Sequence, residues 1–139
     1  MGNESNWRNE RREAAAAHAA ALEARKAGET AQARELLVAF VAELKTRGVE
    51  PEDLRAQVVG TTTSYRTGLT GWYLRKNRSL GVDQDANFYI LAVPASLKSR
   101  LTGVHLSPSD PPLVVGQGAR DGESMPLAQL LALRLDATP

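Results

Sequence analysis

The stretch Pro112–Ser124, PLVVGQGARDGES, sets an apolar run and three glycines ahead of a leucine-rich segment. Strand, glycine loop and helix in that order can hold a phosphate, because N–H groups at a helix start point at the anion. The spacing here argues against a nucleotide. Gly116, Gly118 and Gly122 miss the G-x-G-x-x-G fingerprint by one residue at the third glycine, the one that lets helix and strand pack closely. A Walker-type loop needs Gly-Lys followed by Ser or Thr, and no lysine follows Lys98. The favoured reading is a connection whose glycines supply positive φ. The alternative is a small-anion site, or an enzyme, in loop 110–124, using Arg120, Asp121, Ser124 and a helix start near Ser124.

Other chemical signals are incomplete. Asp83, Asp85 and Asn87 match the first ligands of a calcium loop, but Phe88 stands where glycine belongs and Pro94 where a bidentate glutamate belongs. A hairpin turn accounts for them, since Asp and Asn side chains bond their own backbone there. GESMP approaches a nucleophile elbow, with Pro126 in place of the last glycine. His105 and Asp110 complete a trio with Ser124 only on paper, and no catalytic residue is assigned. With no cysteine and only His18 and His105 as imidazoles, thiolate sites are excluded and neither metal nor cofactor is expected.

Arg66, Arg75, Lys76 and Arg78 lie close in sequence to Tyr65, Trp72 and Tyr73. Cations beside rings on a sheet can bind single-stranded nucleic acid. In a strand over Gly71–Lys76, however, Trp72, Leu74 and Lys76 share one face while Tyr73 and Arg75 share the other. The favoured reading makes the rings core and the cations a charged strand edge.

The elements that must position these residues change character near Pro51. Before it, strong helix formers dominate. SNWRNERREAAAAHAAALEARKAG predicts one helix stopped at Gly28. Its only large apolar side chains are Trp7 and Leu22, so it should dock loosely or pack on something else. Leu37, Phe40, Val41 and Leu44 recur at helical spacing in a second helix, capped by Thr30 and ended at Gly48. The short link predicts an antiparallel helical hairpin over 1–50. After Pro51, where EPEDL can open a short helical turn, β-branched and aromatic residues take over. Strands are expected near Gln57–Tyr65, Gly71–Lys76, Ser79–Val82 and Phe88–Val93, the last central and covered on both faces. ASLKSRLTG reads as a short helix, Val104–Leu106 and Leu113–Val115 as strands. PLAQLLALRLD places Leu127, Leu130, Leu131 and Leu135 on one helical face.

At 139 residues, 42% apolar and 24% charged, the chain has the size and composition of one ordinary domain. The expected fold class is α+β: an N-terminal helical hairpin and a C-terminal helix packed on a mainly antiparallel sheet of four to six strands. A net charge of +1 gives no general attraction to nucleic acid or to an anionic membrane. The start MGNESNW lacks a signal-peptide pattern and no apolar run is long enough to span a bilayer, so a cytoplasmic protein is expected.

Through YRTGLTGWYLRKNRSLGVDQDANFYILAVPASL, Tyr65–Leu97, and again through PSDPPLVVGQGARDGES, Pro108–Ser124, the chain resembles a family of small uncharacterised actinobacterial proteins. The resemblance covers about the C-terminal two thirds and implies only a bacterial cytoplasmic setting; no catalytic role carries over from it. The leading functional expectation is a non-enzymatic binding or interaction module, meeting a protein partner or a second copy through the first helix. Nucleic-acid binding over residues 65–78 is the first alternative, and anion binding or catalysis in loop 110–124 the second.

Overall fold

A computed structural model describes residues 2–94, 103–116 and 124–138. The first element overturns the expected hairpin. Helix α1 runs without a break from Gly2 to Thr46, straight through Gly28, Glu29 and Thr30. A glycine inside a helix costs about 1 kcal/mol, which strong formers on both sides easily offset. Gly28 keeps a negative φ, and the Arg25–Glu29 pair bridges it at 3.6 Å. The real stop is Gly48, at φ +73°. There the Val49 N–H bonds the Leu44 carbonyl at 3.0 Å and the Gly48 N–H bonds Lys45 at 3.1 Å, a Schellman end.

Strand β1, Glu52–Val58, replaces the expected helical turn after Pro51. Leu54, Ala56 and Val58 alternate with more exposed residues, so the segment gains more by burying one strand face than by starting a helix. The expected strand Gln57–Tyr65 is interrupted. The chain turns at Gly60, φ +79°, and returns as β2, Ser64–Tyr73. Then come β3, Leu80–Asp83; β4, Phe88–Ile90; and β5, Ala92–Val93. The sheet order is β4-β3-β2-β1-β5. The first three pairings are antiparallel, as the short links require, but β5 lies parallel to β1, so the sheet is mixed.

The expected single central strand Phe88–Val93 is instead two edge strands, β4 and β5, at opposite edges of the sheet with only Leu91 between them. Its N–H reaches the Ser79 carbonyl at 2.8 Å, and its own carbonyl accepts the Gln57 N–H at 2.6 Å. The sheet therefore coils until its two edges meet on one stretch of chain. This explains why FYILAV is so apolar: Phe88 buries on one face, Tyr89, Leu91 and Val93 on the other. Ile90 stays half exposed.

The outer face carries the main core. Leu37, Phe40 and Leu44 of α1 meet Trp72, Leu74, Val82 and Phe88. Helix α2, Leu127–Asp136, adds Leu127, Leu130 and Leu131 to it, as expected from their spacing, each burial contributing about 2 kcal/mol. On the inner face Leu54, Tyr73, Tyr89 and Leu91 form one cluster, and Ala56, Val58, Val93 and Val104 another. Val104 is not in a strand; its N–H bonds the Arg66 carbonyl at 2.8 Å. The expected helix ASLKSRLTG lies almost wholly outside the described residues.

Candidate functional site

The glycine loop joins two short strands rather than a strand and a helix. Strand β6, Val114–Val115, pairs antiparallel with β7, Met125–Pro126, and α2 begins only at Leu127. The helix start expected near Ser124 is therefore displaced, because Met125 and Pro126 extend a ladder first. The Leu127 N–H already donates to the Leu113 carbonyl at 2.7 Å, which removes one donor from an anion site at the helix start. Ser124 is exposed. Arg120 and Asp121 lie outside the described residues. Asp110, imagined beside His105, instead accepts from the Arg34 guanidinium at 2.9 Å.

The Asp83 carboxylate is occupied by its own turn. One oxygen accepts the Asp85 and Asn87 N–H groups, both at 2.9 Å. The other accepts the Asn87 amide and the Tyr89 hydroxyl, both at 3.1 Å. This is the hairpin turn expected from the sequence, with Ala86 at φ +66°. Burial, then the bond to Asp83 and its charge, push the Tyr89 hydroxyl above its ordinary pKa.

The four basic residues separate into two places. Arg66 sits early in β2, roughly 30 Å along the chain from Arg75 at the usual strand rise. Between them the strand bulges: from Asp53–Thr70 to Arg55–Arg66, β1 advances two residues while β2 advances four. Gly68 at φ +74° makes the bulge, and Thr67 ties it by donating to the Leu54 carbonyl at 2.6 Å. Arg75, Lys76 and Arg78 share the tight turn between β2 and β3. Arg78 adopts φ +60° and lies 5.3 Å from the Tyr73 ring centre. Trp72 and Tyr73 are buried, so neither offers a face for base stacking.

Sequence gave no reason to single out Arg134, a basic residue in the last turn of a helix. The fold brings it to the β2–β3 turn, where its Nε donates to the Tyr73 carbonyl at 2.9 Å. Its Nη1 donates to Thr138 Oγ1 at 2.6 Å. Between turn and helix lies a cleft of about 380 Å³, with Leu74, Leu130 and Leu133 facing Arg75, Lys76 and Arg134.

The most extended exposed feature among the described residues is the arm of α1. Every residue from Asn3 to Glu29 is exposed, a length of about 40 Å at the helical rise. Trp7 is 57% exposed and Leu22 50%, as their isolation in the sequence led us to expect. Arg11 covers the Trp7 ring at 4.6 Å. Ala14, Ala17, Ala21, Ala24, Gly28 and Ala31 follow three- and four-residue spacing and form one smooth face. No helix among the described residues is long and apolar enough to cross a membrane. Compared with family models, curated proteins and solved structures, the chain matches none of them.

Proposed function

We propose that this protein is a non-enzymatic binding module whose helical arm engages another helix, from a protein partner or a second copy. The observation that carries this reading is the unbroken exposure of α1 from Asn3 to Glu29. An alanine-rich helix of that length has the propensity to stand in water, so the arm needs no core of its own. Its small-residue face lets a second helix approach at the short end of the usual interaxial range of about 8–10 Å. A bacterial cytoplasmic setting, implied by the sequence resemblance, accompanies this reading.

Removing residues 1–29 tests it. The remaining chain keeps Ala33, Leu37, Phe40, Val41 and Leu44, the described part of α1 that enters the core. It should fold, with near-ultraviolet circular dichroism from buried Trp72 retained. Light scattering should find the full chain associated, or associating with a captured helical partner, and the shortened chain monomeric. A full chain that is monomeric and partnerless, like the shortened one, counts against the proposal.

A second reading has one observation in its favour: Arg75, Lys76 and Arg134 line one cleft, with Arg78 in the same β2–β3 turn. Nucleic-acid binding there would weaken steeply with added salt. No complex with single-stranded DNA or RNA at low salt removes that reading.

A further inference from the structure

We infer that the cleft between the β2–β3 turn and α2 binds a small amphipathic carboxylate, its apolar body on Leu74, Leu130 and Leu133 and its head on Arg134 and the Arg75–Lys76 turn. This goes beyond the helical arm and does not depend on it. The lining combines an aliphatic floor with a cationic rim. Aliphatic side chains form the floor, and Leu133 remains half exposed on it. Cations from two elements far apart in sequence form the rim.

Arg134 is the anchor. The Tyr73 carbonyl and Thr138 hydroxyl hold its guanidinium, and Thr138 donates in turn to the Arg134 carbonyl at 3.0 Å. These bonds use two of the five N–H donors, leaving a planar group of fixed direction with donors to spend. Among the described residues no acidic side chain lines the cleft. The ion pairs found among the described residues are Arg25–Glu29, Arg34–Asp110 and Arg47–Glu43, so none neutralises this rim. Three cations around an apolar hollow repel one another, and a bound anion relieves that repulsion. The volume lies near the lower end of small-ligand sites, about 300–1,000 Å³. An aliphatic floor without an exposed ring suits an acyl or aryl body better than a stacked base.

Octanoate is a suitable probe, with acetate as the head alone and n-octylammonium as the same body carrying the opposite charge. Octanoate should raise the melting temperature of the full chain. In amide NMR spectra it should shift Leu74–Asn77 and Leu130–Ala137, while the two controls do neither. Leu133→Glu and Lys76→Glu change exposed positions, so each should fold, and each should weaken octanoate binding roughly tenfold or more. The inference fails if octanoate shifts no resonance of the cleft. It fails equally if n-octylammonium binds as well, or if both variants bind octanoate like the unaltered chain.

Discussion

Replacing Gly28 by alanine separates one continuous helix from two by the sign of its effect. In α1 the position is helical, and a Cβ there would meet nothing within 4 Å. Alanine is better than glycine inside a helix by about 1 kcal/mol, and no steric term offsets that gain. A glycine closing a first helix would instead sit in the left-handed region, where alanine costs roughly 1–2 kcal/mol. The two arrangements thus differ by about 2–3 kcal/mol and in direction. The gain belongs to the arm more than to the core, so local measurements are the sensitive ones. Amide N–H groups of residues 28–32 bond carbonyls across the substituted position. Their hydrogen exchange should slow by roughly fivefold, the equilibrium factor for about 1 kcal/mol, and helical ellipticity should rise. Faster exchange at these amides with lower ellipticity would refute the continuous helix.

Gly71→Ala should be severe, because the new Cβ would fall 2.0 Å from the Val82 carbonyl oxygen and 2.7 Å from the Asp83 Cα. Backbone cannot swing aside as a side chain can, so urea unfolding should show a loss of about 3 kcal/mol or more. Tyr89→Phe removes the hydroxyl bond to Asp83 and should cost about 1 kcal/mol near neutral pH. The native state holds the Tyr89 proton more tightly than the unfolded chain, so that contribution is complete below the ordinary value of 10.0 and declines as pH rises through the higher native value. Unfolding curves across that alkaline range should converge for the two proteins; a constant gap would contradict the assignment. Arg34→Ala, by contrast, breaks an ion pair whose side chains are 60% and 67% exposed, and its effect on the urea midpoint should stay within about 1 kcal/mol.

Local chemistry was legible wherever the deciding partners lie within a turn or two of chain. Leu37, Phe40, Val41 and Leu44 define a helical face, and Gly48 ends the helix because only a left-handed residue completes its final bonds. Asp83 and Asn87 build their hairpin turn from side chain to neighbouring backbone, and the leucines of α2 announce their own stripe. Gly28 misled because its local signal, glycine after a basic pair, is shared by a helix end and by a tolerated interior glycine. Which one results depends on the rest of the helix and on whether the arm has a surface to fold back against.

Other features were decided only at long range. Leu54, Ala56 and Val58 form a strand because the inner core needs that face covered, although Pro51 alone suits a helix start. The parallel pairing of β5 with β1 follows from the bend at Leu91 and the coil of the whole sheet. Arg134 meets the Tyr73 carbonyl across 61 positions of sequence, and no periodicity encodes such a meeting. Propensity and capping act over about four residues, whereas pairing and burial are settled by which surfaces remain uncovered once every other element is in place.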